Sequence, residues 1–182
     1  MKKAPILLLF FLCLAVFLTC KSKSVSTLDL EPVDNFELER YLGTWYEIAR
    51  FQHSFEKDLV GVTAEYSLRN DGKIKVVNSG YKDSLSGKYK SITGKARIPD
   101  PLKPAHLQVS FFLFFYSDYY VLEVDTLHYG YALVGSSSEN YLWILSRTPF
   151  LPDEIYNMLT SKASERGYDV GRLYKVPQAE KL

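Results

Sequence analysis

Few residues in this chain can do covalent or metal chemistry, and their spacing limits what they can do. The two cysteines, Cys13 and Cys20, both lie near the N-terminus. No thiol remains further along for nucleophilic catalysis, disulfides or metal ligation. The three histidines, His53, His106 and His128, are scattered without metal-ligand spacing. His53 and Ser54 stand near Glu56 and Asp58. A hydrolase could use those residue types, but nearness within one polar loop orients nothing. No Gly-rich phosphate cradle is present. His106 remains the candidate for a single haem or pigment ligand. The residue types therefore point to a binding protein rather than an enzyme, with no cofactor.

Composition points the same way. Lys and Arg number 22 and Asp and Glu 21, giving a net charge of +1, and Lys2 and Lys3 belong to a leader segment. So even a balance argues against a nucleic-acid partner. Aromatic residues make up 15% of the chain. They suit strands and half-buried surfaces, which favours an all-β fold.

The leader carries one residue with modification chemistry. Ile6 to Leu18 is apolar, about signal-peptide length and short for a membrane span. It ends at Thr19-Cys20 and gives way to a polar stretch. The pattern resembles a bacterial lipoprotein signal, with Thr19 where that signal carries Gly, Ala or Ser. The resemblance implies that residues 1–19 are removed and that Cys20 is lipidated as the new N-terminus. Several acyl chains would anchor it stably. An ordinary signal peptide with an incidental cysteine is the alternative. Residues 20–32 read as a flexible tether and 33–182 as the folded domain.

Strand-like runs alternate with turn signals through that domain. They are Trp45 to Phe51, Val62 to Leu68, Lys73 to Asn78, Lys88 to Arg97, His106 to Phe112, Tyr119 to Val124, Tyr131 to Gly135 and Tyr141 to Ser146. Asp71-Gly72 marks a hairpin, and Pro99, Pro101 and Pro104 break regular structure. Eight strands at this spacing suit a closed antiparallel up-and-down barrel. Pro152-Asp153-Glu154 opens a helix whose apolar stripe predicts packing on the outside of the barrel, and Gly167 stands after it as a C-cap. Gly171 to Val176 suggests a short outer strand.

Three elements in order resemble the lipocalin family, in its bacterial lipocalin and apolipoprotein D branch. Gly43-Thr44-Trp45 matches the GxW element of the first strand. Asp125, in Val124-Asp125-Thr126-Leu127-His128-Tyr129, matches a TDxxY-like turn with Val124 in place of Thr. Arg147 matches the third element, at the end of the eighth strand. Independently of the family, Trp45 is a large plug for a narrow barrel end. Arg147 can lie over its indole, a cation–π contact of roughly 0.5–2 kcal/mol.

An eight-stranded barrel is about wide enough for one small ligand. Taking Trp143 by its resemblance to a pocket tryptophan of that branch, alternation points Tyr141 and Leu145 inward as well. The same matching places Tyr66, Asn78, Tyr120, Ala132 and Val134 in the ligand site, with Ala64, Val62, Val76 and Ile74 beside them. The alternative is a barrel filled by its own side chains. Phe112 to Tyr119 reads as an open-end loop with an unusually aromatic rim, suited to a lipid surface or to a second subunit in a homodimer.

The resemblance implies a lipid-anchored protein of the bacterial outer membrane that stores or transports a fatty acid or lysophospholipid. A haem or pigment carrier, or a surface interaction protein with an incidental cavity, is the alternative.

Overall fold

Strand patterning of period two needs a sheet with one covered face, and here the sheet covers itself by closing. The computed structural model describes residues 28–179. The barrel strands are β1 (Gly43–Phe51), β2 (Leu59–Leu68), β3 (Ile74–Lys82), β4 (Tyr89–Arg97), β5 (His106–Phe112), β6 (Phe115–Val124), β7 (Tyr131–Gly135) and β8 (Leu142–Ser146). Successive strands pair antiparallel, and β1 pairs with both β8 and β2, so the barrel is closed. A one-turn helix, α1 (Leu38–Tyr41), delivers Tyr41 to the end occupied by Trp45. After β8, helix α2 (Asp153–Glu165) lies outside the wall, and a ninth strand, β9 (Leu173–Lys175), pairs with the far end of β1.

Apolar residues sort to two sides of the wall. Inside, Trp45, Tyr66, Val76, Leu107, Val121, Val134 and Leu145 share one cluster. Outside, Leu122, Leu133, Leu142 and Ile144 meet Leu159 and Ala163 of α2. The stripe on α2 thus covers the outward-facing residues of β6 to β8. Gly167, at φ +91°, turns the chain after the helix, as a residue without Cβ can at little cost.

Two expectations need correction, and one strand departs from regular alternation. The segment Phe112 to Tyr119 is not a loop: β6 begins at Phe115, which pairs with Phe112 across a turn of Leu113 and Phe114. Leu113 adopts φ +48° to make that turn. The β5–β6 hairpin consequently holds Phe112, Leu113, Phe114 and Phe115 out as an exposed apolar tip. Next, the expected tether is fixed to the barrel from Leu28 onward. Leu28 and Leu30 pack on the outer cluster, Asp29 N–H donates to the Arg166 carbonyl, and Arg166 reaches the Glu31 carbonyl. Its earlier part, with the leader and Cys20, lies outside the described residues. Finally, β1 does not alternate evenly. A bulge at Ile48 pairs Glu47 with Leu145 but Ala49 with Ile144. One inserted residue reverses the facing of every later residue in the strand. Ala49 and Phe51 therefore join the outer cluster, and Arg50, opposite inward-facing Trp143, is fully buried.

The wall is also split. β4 and β5 pair only over Lys95 to Arg97 and Gln108 to Ser110. Above this, Phe111 lies against Gly94, where an added Cβ would come within 2.6 Å of its ring. The strands part toward the open end, and the barrel mouth widens sideways.

Candidate functional site

The closed end is built first, because it sets the floor of the cavity. Trp45 is fully buried and donates its indole N–H to the Tyr41 carbonyl at 2.8 Å. The Arg147 guanidinium lies 3.9 Å from the centre of a Trp45 ring. It also donates to the carbonyls of Tyr129, Thr44, Arg40 and Leu42. One cation thus ties together β1, α1 and the turn before β7. That turn is organised by Asp125, whose carboxylate accepts from the backbone N–H groups of Leu127, His128 and Gly130. Partial burial pushes the Asp125 carboxyl up, but these three donors outweigh it and hold it below the usual carboxylate range.

Above the plug, the Tyr119 hydroxyl stands 2.6 Å from that of Tyr41 and 2.9 Å from that of Tyr66. Burial, with no neighbouring cation strong enough to offset it, raises all three phenols well above their ordinary value and keeps them neutral. These hydroxyls satisfy one another and form a polar floor with no net charge.

Above that floor is a hollow of about 300 Å³. Its wall is largely apolar: Ala64, Val76, Val109, Phe111, Tyr141, Trp143 and Leu145 line it. It adjoins a wider mouth of about 690 Å³ at the split between β4 and β5, lined by Val62, Ile92, Phe111 and Phe112 among others. Both volumes fall in the range of ligand sites, about 300–1,000 Å³. The interior is not filled by its own side chains.

Of the residues matched to a ligand site, Tyr66, Asn78, Tyr141 and Trp143 line the hollow. Ala132 and Val134 face inward opposite Leu145 and Trp143 but do not line the hollow themselves; they are packed into the cluster around Trp45. Tyr120 corrects the expectation: it faces outward and stacks on His106 at 4.4 Å. Adjacent tyrosines in a strand face opposite ways, and Tyr119 takes the inward place. His106 is likewise outside the hollow, 3.0 Å from the Asp118 carboxylate. It cannot serve as a haem ligand in the barrel.

Several lining residues carry no signal in the three sequence elements. Phe55 and Glu56 come from the loop that bends over the mouth, Ser117 and Asp118 from β6, and Ser136 from just after β7. Glu47 lines the hollow two residues after inward-facing Trp45, so strand alternation could have found it. His53 lies beside Glu56, with Nε2 3.1 Å from Oε2, but neither ring nitrogen makes a hydrogen bond. Ser54 lies at the outer mouth. The set His53, Ser54, Glu56, Asp58 does not assemble the nucleophile–base contact that hydrolysis needs.

Comparison with known proteins agrees with this architecture. Residues 36–178 match the lipocalin-like domain family. Outer membrane lipoprotein Blc of Vibrio cholerae is 46% identical over 149 residues, spanning 82% of this chain and 86% of that protein. Apolipoprotein D of Mus musculus is 34% identical over 154 residues, spanning 80% and 79%. Among solved structures, insecticyanin from the tobacco hornworm Manduca sexta superposes with a TM-score of 0.68 at 23% identity, over 84% of this chain and 86% of that one. The structural likeness shows the fold, and the sequence identities show the branch. This chain belongs to the lipocalin family, in the branch that contains the Blc lipoproteins and apolipoprotein D.

Proposed function

We propose that this protein holds a single-chain lipid, a fatty acid or lysophospholipid, for storage or transport in a bacterial envelope. The observation that carries the reading is the hollow above the tyrosine floor, apolar along its walls and open at one end. Each methylene buried there contributes roughly 0.8 kcal/mol before ordering costs. The general role of lipocalins as carriers of hydrophobic ligands supports a binding role over an enzymatic one.

Membrane attachment is part of the proposal. The Blc relative is named an outer membrane lipoprotein, and Cys20 stands where the lipoprotein-like leader ends. The residues from Cys20 to Leu28 span at most about 29 Å when extended. A barrel on so short a lead stays close to the bilayer. The exposed tip Phe112–Phe115 then rests on the lipid surface, beside the mouth through which a guest enters.

The deciding experiment is organic extraction of the purified barrel, with mass identification of what leaves with it. A co-purified acyl lipid supports the reading. A clean apo mass that persists after incubation with lysophospholipid removes it and favours a surface interaction protein with an incidental cavity. Attachment is tested by Cys20→Ala, which should release the protein from the membrane fraction. Vesicle binding by a barrel lacking the leader should fall when Phe114 and Phe115 become Ser; a second copy as the partner would instead show as loss of a dimer.

A further inference from the structure

We infer that the β3–β4 hairpin and the tip of the β5–β6 hairpin form one docking face for a bilayer with anionic headgroups. The inference rests on the attachment reading for the place of the tip, and adds to it a charge-selective wall.

Charge along this chain is sorted rather than mixed. Between Ile74 and Arg97 stand six cations, Lys75, Lys82, Lys88, Lys90, Lys95 and Arg97, and one carboxylate, Asp83. The whole chain carries +1, so the remainder is net negative. Five of the six cations are exposed, and Lys95 is half-buried. Lys82 lies 3.9 Å from Asp83, and among the described residues the other five have no acidic partner. Lys75 and Lys95 stand directly opposite each other across the β3–β4 pair. Like charges so placed destabilise a sheet. A surface of fixed negative charge would relieve that repulsion.

The basic wall adjoins the apolar tip. Tyr116 follows Phe115 directly in β6, and its ring has the Arg97 guanidinium at 4.3 Å and the Lys95 ammonium at 5.7 Å. Phe112, Leu113, Phe114 and Phe115 are between 66% and 85% exposed, so the fold itself does not cover them. A nucleic-acid duplex would meet the cations and leave this tip in water. A bilayer takes both, with the tip among acyl chains, the Tyr116 phenol at headgroup depth and the cations against phosphates.

Topology gives the face its direction. In the closed order of strands, β3 and β4 stand across the barrel from β7 and β8, which α2 covers. Helix α2 opens with Asp153 and Glu154. An anionic surface attracts the one wall and repels the other, so the barrel meets it in one orientation. Lys82, Lys90 and Phe112 also line the mouth at the β4–β5 split. Docking therefore turns the mouth toward the leaflet that supplies the guest.

The test separates charge from apolar contact. All nine strands and α2 lie within the described residues, so the chain from Lys21 onward, without leader or Cys20, is used. Its co-sedimentation is measured with vesicles of phosphatidylcholine alone and of phosphatidylcholine mixed with phosphatidylglycerol. Each Lys or Arg near an anionic surface strengthens binding about fivefold. Lys75→Gln with Lys95→Gln should therefore weaken binding to the anionic vesicles by about twenty-five-fold at low salt and leave the neutral ones unaffected. The pair repel in the parent, so this variant should melt no lower, and the loss cannot be put down to unfolding. Lys162→Gln with Lys175→Gln, on α2 and β9, changes the net charge equally and should cost far less. Phe114→Ser with Phe115→Ser should weaken binding to both kinds of vesicle. If the Lys75 and Lys95 variant keeps its preference for anionic vesicles, or the Lys162 and Lys175 variant loses as much, the charged face is wrong while the placement of the tip stands. Binding to heparin with none to anionic vesicles would assign the cations to a soluble polyanion and overturn the inference. If the parent binds neither vesicle, the face and the placement of the tip both fall, and the lipid-holding role is still judged by extraction.

Discussion

Replacing Arg147 with Lys should cost this fold about 2–3 kcal/mol, and the structure says why. The guanidinium donates to four carbonyls on three segments while lying 3.9 Å above Trp45. A lysine keeps the cation and some attraction to the indole. Its ammonium is a point donor and cannot reach four acceptors set around a planar fork. Each lost bond to a charged donor is worth about 1.5–3 kcal/mol. The site is only half-buried, so water recovers part of that, and the bonds act as one unit whose parts do not add. For a domain of this size, each kcal/mol lowers Tm by roughly 2–4 °C, so the melt monitored by circular dichroism should fall by about 5–10 °C. Arg147→Met, which also removes the cation from the indole, should fall further, by about another 0.5–2 kcal/mol. A Lys variant melting within about 2 °C of the parent would refute the argument that carbonyl ties hold the closed end. Equal melts for Lys and Met would remove the indole contact from it.

The same geometry sets other outcomes. Trp45→Ala should cost about 3–5 kcal/mol in urea unfolding, since the plug is fully buried and its loss leaves a cavity. Asp125→Asn should destabilise at neutral pH but much less in acid. Asp125 is held below its unfolded range, so its contribution is present above about pH 4 and disappears as the pH falls through the lowered native value; a penalty independent of pH would contradict this. Ala64→Trp, placing a large side chain on the cavity wall, should abolish lipid uptake in native mass spectrometry while leaving the far-ultraviolet spectrum of the barrel intact.

The chain order of turns and alternating runs determined most of this protein. Local periodicity and turn chemistry act over a few residues, so the eight strands, the helix after Pro152 and the hairpin at Asp71-Gly72 were legible in them. Trp45, Asp125 and Arg147 were legible because a plug, a capped turn and a multidentate cation each demand a particular side chain at a particular place. What alternation left open was parity. Between Tyr119 and Tyr120 the two faces of β6 carry the same residue type, and only pairing with neighbours, Tyr119 opposite Leu107 and Tyr120 opposite His106, decides which ring enters the barrel. The bulge at Ile48 reversed β1 and carried Arg50 inward, which no local pattern announces. Glu56 reaches the hollow from a loop, and its place there depends on closure of the sheet beneath it. The sequence by itself specified strands and a plug through interactions of short range. The facing of each side chain, and so the charge inside the cavity, was decided by strand register, a property of pairs of strands that neither strand carries alone.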